Sequence, residues 1–130
     1  MHKKIISTEN APKAIGPYSQ AVEVGGMLFI SGQLPIDPVT GKLVEGGIEE
    51  QSEQVIKNIG AILTAAGYSY SDVVKSTCLL ADMKYFADMN KVYARYYPSS
   101  APARAAFAVK ELPLQALVEI ETIASRCTEN

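Results

Sequence analysis

One histidine, two cysteines and no basic run longer than Lys3-Lys4 leave little for the commoner catalytic chemistries to work with. The histidine is His2, close to the N-terminus. Cys78 and Cys127 stand far apart, with no further cysteines to form a framework. These residues assemble no recognisable zinc constellation, which takes about four closely spaced ligands. A Ser-His-Asp or Cys-His arrangement finds no histidine within the body of the chain to act as its base. The two cysteines are therefore expected as free thiols, and no metal or other cofactor is expected.

Other absences narrow the class further. The formal net charge is −2, so a nucleic-acid partner held by a broad basic surface is not expected. No apolar stretch approaches the ~20 residues of a membrane helix. The N-terminus has no apolar core of a secretory signal, which makes a cytoplasmic location the default. What is present is an ordinary globular composition: 130 residues, 48% hydrophobic and 20% charged. That is the size of one domain with a real core, taken here as residues 1–130.

Along the chain, residues 1–18 are polar and irregular, and Pro12 and Gly16-Pro17 rule out a long helix there. Residues 21–24 and 27–31 read as two strands joined at Gly25-Gly26, which supplies the positive φ angles of a tight hairpin. Residues 37–41 carry turn chemistry. Val55, Ile56, Ile59, Ile62, Leu63 and Ala66 recur at helical spacing, giving a helix from about Gly47 to Ala66 that Gly67 stops. Residues 73–81 form a strand. Asp82 then caps a second helix whose buried stripe is Phe86, Met89, Tyr93 and Tyr97, ended by Pro98. Two closing strands follow, at 103–109 and 117–125. This order gives an α+β fold, most simply a single mixed sheet with both helices on one face. Nothing remains to cover the other face, so self-association is expected.

Arg104 is the anomaly in this layout. It is the only charge in Pro102-Ala103-Arg104-Ala105-Ala106-Phe107-Ala108-Val109. Ala106 and Ala108 share its side of the strand and leave a hollow around the guanidinium. On the last strand Val118, Ile120, Thr122 and Ala124 suit the helix-covered face, which puts Glu119 and Glu121 on the bare one. A desolvated guanidinium needs a partner. On spacing alone, an intersubunit salt bridge from Arg104 to Glu119 or Glu121 and a ligand carboxylate are equally good candidates, and the bare face puts Arg104 at a subunit boundary.

Ile15-Gly16-Pro17-Tyr18-Ser19-Gln20-Ala21, Ile30-Ser31-Gly32-Gln33-Leu34-Pro35, Pro102-Ala103-Arg104 and Val118-Glu119-Ile120-Glu121 together resemble the Rid (YjgF-type) family across essentially the whole chain. The resemblance implies a chorismate-mutase-like fold, a homotrimer formed through the bare sheet face, and active sites in the clefts between subunits. It implies hydrolytic deamination of 2-imino and enamine acids, 2-iminopropanoate and 2-iminobutanoate, to 2-keto acids and ammonia. It gives Arg104 the substrate carboxylate and Glu119 the water, with Tyr18, Ser31, Gly32 and Asn90 lining the pocket. Ala106 stands in the pocket where many members carry a cysteine, and the connection Pro98-Ser99-Ser100-Ala101 looks short. Both departures bear on pocket shape.

The chemistry suits these residues. A planar guanidinium holds a carboxylate through two parallel hydrogen bonds and so fixes the adjacent C=N carbon. A carboxyl group at Glu119, its pKa raised by burial and by Glu121, can orient water and shuttle a proton. The imine is already reactive, so orientation does most of the work. On this reading the enzyme protects pyridoxal-phosphate enzymes from reactive enamines. The alternative is a regulatory module that binds carboxylate ligands in the same cleft without turnover. Intrinsic ribonuclease chemistry is disfavoured by the acidic balance and the missing histidine base.

Overall fold

The structure is a computed structural model and describes residues 2–126. Its main sheet has six strands: β1 (Lys4–Ile6), β2 (Ala21–Val24), β3 (Met27–Gln33), β6 (Val73–Leu80), β7 (Ala103–Ala108) and β8 (Val118–Ser125), in the order β1-β2-β3-β8-β6-β7. Only β6 and β7 run parallel, joined by the crossover helix α2 (Phe86–Tyr96). Two-residue strands β4 (Ile36–Asp37) and β5 (Lys42–Leu43) form a small separate hairpin around the expected turn. The first 18 residues are not wholly irregular. β1 pairs with β2, a partner that its own three residues do not reveal.

Helix α1 (Ile48–Ala66) buries the expected stripe: Val55, Ile56, Ile59, Ile62 and Leu63 are shut away from solvent. It ends at Gly67, whose φ of 84° lets Gly67 N–H reach Thr64 O and Tyr68 N–H reach Leu63 O. Both helices pack on one face of the sheet. Leu28, Ile30, Leu80, Val118 and Ile120 meet them there, with Met89 and Val92 of α2 completing the core. Asp82 does not cap α2 directly. Its carboxylate accepts from Lys84 N–H (2.8 Å) and opens a 3-10 turn, Met83–Tyr85, that leads into the helix.

Register decides which face each polar side chain meets. Thr122, Ser76 and Arg104 are cross-strand neighbours in one row, and Ile120, Cys78 and Ala106 in the next. Thr122, Ser76, Ile120 and Cys78 are buried beneath the helices, so Arg104 and Ala106 lie on the helix side. The opposite face carries the rows Glu121–Thr77–Ala105 and Glu119–Leu79–Phe107, with Phe29 beside Ile123. Phe29 and Phe107 remain 42% and 47% exposed there. Arg104 therefore lies on the helix-covered face and not on the bare face expected for it. Strand parity is fixed through β6, whose pairing the sequence does not display.

Candidate active site

The sheet separates the candidate residues into two groups. The first surrounds Arg104. β7 is an edge strand, and α2 crosses over it with Phe86, Asn90 and Tyr93 spaced four and three residues apart on one helical face. Asn90 Oδ1 accepts a hydrogen bond from Arg104 Nη1 (2.8 Å). The guanidinium carbon stands 4.8 Å from the Tyr93 ring centroid and 5.4 Å from that of Phe86. A cation so placed is attracted by each ring, by about 0.5–2 kcal/mol depending on desolvation. Among the described residues no carboxylate forms an ion pair with Arg104. One guanidinium nitrogen is fixed by Asn90, and the group keeps donors for an external anion. Cys78, in the neighbouring row, is a buried free thiol whose pKa burial pushes up to about 11, so it offers no thiolate here. Cys127 lies outside the described residues.

The second group surrounds Glu119 on the other face. Between β3 and β8 the register slips: Ile30 opposes Thr122 and Gln33 opposes Ile120, so Ser31 and Gly32 together face Glu121. This bulge interrupts the ladder beside Glu119. Any β-carbon at Gly32 would collide with Glu119 Oε2, so the carboxylate lies directly against the glycine. Ser31 Oγ donates to Ser19 O (2.6 Å) and Ser31 N–H to Gln20 O (3.0 Å), which anchors the loop carrying Tyr18. Tyr18 projects into solvent, and its hydroxyl accepts from Ile15 N–H at 3.4 Å. Burial, with Glu121 adding to it, raises the Glu119 pKa above the ordinary 4.5.

Three buried amides that carry no role in the sequence reading hold these loops in place. Gln20 donates to Pro12 O (2.8 Å) and Thr8 O (3.0 Å) and accepts from Thr8 N–H (2.7 Å), tying the N-terminal segment to the start of β2. Asn58 of α1 donates to Leu34 O and Ile36 O, just after the bulge. Gln51 accepts from Leu117 N–H (2.8 Å), ahead of Glu119. The aromatic platform under Arg104 is also absent from that reading, although the spacing of Phe86, Asn90 and Tyr93 on one helix was its available signal.

Tyr18, Ser31, Gly32 and Glu119 thus form one group of candidate residues, and Asn90, Arg104 and Ala106 another, on opposite sides of the same sheet. A single copy of the chain does not bring Arg104 and Glu119 together.

Residues 8–126 match the family described as Endoribonuclease L-PSP. A RutC family protein of Pyrococcus horikoshii is 59% identical over 122 residues, covering 94% of this chain and 97% of its own length. A bovine protein named 2-iminobutanoate/2-iminopropanoate deaminase is 56% identical, covering 94% of this chain and 89% of its own length. Among solved structures, a putative endoribonuclease of Thermotoga maritima superposes with a TM-score of 0.94 at 53% identity, covering 96% of this chain and 98% of that one.

Proposed function

The chain belongs to the Endoribonuclease L-PSP family, whose members include the Rid-type deaminases, and on that premise we propose that it hydrolyses 2-imino and enamine acids to 2-keto acids and ammonia. 2-Iminopropanoate and 2-iminobutanoate, the acids named in its relatives, are the reference substrates. The observation that carries the proposal is the division of the site. A guanidinium oriented by Asn90 occupies one face of the sheet, and a carboxyl of raised pKa against Gly32 occupies the other.

A second copy of the chain joins these halves. The bare face, with Phe29, Leu79, Phe107 and Ile123, is the surface through which a closed ring of three copies forms. Each cleft then holds Arg104 of one copy and Glu119 of the next. Arg104 grips the substrate carboxylate through its free N–H groups, which fixes the C=N carbon. Glu119 accepts a proton from a water molecule as the water oxygen bonds to that carbon, and passes it to the nitrogen. The resulting carbinolamine collapses. Its hydroxyl proton leaves through Glu119, the C–N bond breaks, and ammonia departs with the proton while the C=O forms. Tyr18 and Ser31 border the pocket, and Ala106 leaves space beside Arg104. Such imines are released by pyridoxal-phosphate enzymes, which makes those enzymes the functional partners. Among the described residues no helix is long and apolar enough to cross a membrane.

The test couples a threonine dehydratase, which releases 2-iminobutanoate, to a semicarbazide trap that competes for the imine. The protein should divert flux from the trapped adduct to free 2-oxobutanoate, and Arg104→Ala and Glu119→Gln should each abolish the diversion. Absence of diversion by the wild type sinks the deaminase reading. Binding of a 2-keto acid without turnover would point to a ligand-sensing module instead.

A further inference from the structure

Three large apolar side chains that ought to be buried stand in solvent around one hollow. Ile15, Tyr18 and Leu114 are 86%, 54% and 61% exposed, yet all line a cavity of about 230 Å³ whose wall includes Gly32 and Leu34. Gly32, part of that wall, also touches Glu119, the carboxyl group to which the proposed mechanism gives the water.

Leu114 is held there against its own backbone preference. Leu114 and Gln115 have φ angles of 59° and 57°, the left-handed region that a β-carbon disfavours, and neither is glycine. The loop is pinned on both sides: Leu112 and Ala116 are buried, Ala116 N–H donates to Pro113 O (3.1 Å), and Gln51 holds Leu117 N–H. These anchors force the strained pair outward, and Leu114 becomes the lip of the cavity. Non-glycine residues kept in such a conformation cluster at ligand-binding sites, where the surrounding structure over-determines them.

We propose that this cavity receives the side chain of the imino acid, and that the protein favours 2-imino acids with branched aliphatic side chains, such as the one derived from leucine, over the methyl-bearing 2-iminopropanoate. The inference rests on the deaminase reading above. With the substrate carboxylate on Arg104 of one copy and its C=N carbon beside Glu119 of the next, atoms beyond C2 meet the Ile15–Tyr18–Leu114 wall. A methyl group, comparable with a water molecule's share of about 30 Å³, fills roughly an eighth of that space. An isobutyl group fills far more and covers the exposed apolar surface.

Imines generated in situ by an amino-acid oxidase from alanine, 2-aminobutyrate and leucine give the kcat/KM series. The wild type should favour the leucine-derived imine over 2-iminopropanoate by about tenfold or more, the discrimination typical of added methylenes in an apolar pocket. Leu114→Ala should shrink that ratio about tenfold. Leu114→Phe, which fills the cavity, should reverse it. A flat or falling wild-type series, or variants that leave the ratio unchanged, overturns the assignment while leaving the deaminase reading intact. Calorimetric binding of pyruvate and 4-methyl-2-oxopentanoate separates the two claims. Tighter binding of the larger keto acid that Leu114→Ala abolishes supports the pocket even if no imine is turned over, an outcome that removes the deaminase reading alone.

Discussion

Gly32 and Glu119 show how a local backbone feature sets a chemical one. The carboxylate lies where a β-carbon would be, and its neighbour is the movable end of a side chain, not backbone. Gly32→Ala should therefore fold with a loss of no more than about 1 kcal/mol, because Glu119 can swing aside. Activity should nevertheless fall to near the level of Glu119→Gln, about 10²–10⁴-fold below wild type, as expected when a general acid–base group is displaced. Chemical denaturation and steady-state kinetics on the two variants check both halves. Because the folded pKa of Glu119 is raised, the native state binds more protons than the unfolded chain just above pH 4.5. Stability contributed by this group is thus present at lower pH and lost as pH rises through the folded value. Glu119→Gln should flatten that decline and gain stability at neutral pH while losing turnover, the signature of a group retained for chemistry. In the proposed mechanism Asn90 acts at one remove, through its hydrogen bond to Arg104. A hydrogen bond to a charged group contributes about 1.5–3 kcal/mol, so Asn90→Ala should raise KM about tenfold or more, with kcat falling much less.

The elements are held to one another by contacts of a different kind. Near the end of β8, Arg126 stacks 4.4 Å from the Tyr68 ring centroid and donates to Ala66 O (2.8 Å) at the C-terminus of α1. Its guanidinium also pairs with Glu23 of β2, to which Tyr68 donates a 2.7 Å hydrogen bond. Arg126→Ala removes a cation–π contact and a charge at the negative end of the helix dipole together, so about 1–2 kcal/mol of stability should go. A fall of several degrees in Tm, at unchanged kcat/KM, is the readout. The Tyr68 pKa is pushed up to about 12, mainly by burial and then by the Glu23 carboxylate. Its contribution is complete below pH 10 and lost as pH climbs toward that value, a loss that Tyr68→Phe should not show. The helices and long strands were legible because burial follows period: α1 repeats at 3.6, and Val118, Ile120, Thr122 and Ala124 alternate cleanly. β1, β4 and β5 are too short to carry a period, and their pairing depends on neighbours. The candidate site residues were named by likeness, but the face Arg104 occupies was not legible. That face follows from the Ser76 register, and one strand's own alternation does not reveal its phase relative to another.

At the scale of the whole molecule, the separation of Arg104 from Glu119 yields a test that no single-chain site can pass. If each cleft takes Arg104 from one copy and Glu119 from the next, then Arg104→Ala and Glu119→Gln are each inactive alone but complement each other. A mixed ring contains one interface at which the Arg104→Ala copy supplies an intact Glu119 and the Glu119→Gln copy an intact Arg104. Random assembly from equal amounts makes three-quarters of trimers mixed, and one of three clefts in each is whole. Co-refolding should therefore restore roughly a quarter of wild-type activity, the count for a closed ring with head-to-tail interfaces. Simple mixing without dissociation should restore none. Phe107→Glu, on the exposed apolar face in the row of Leu79 and Glu119, should block assembly and activity together, as light scattering and turnover would show. Activity in a Phe107→Glu monomer, or no recovery from co-refolded inactive partners that do form mixed rings, would mean that the shared cleft is wrong and that Arg104 reaches its substrate from the helix side unaided.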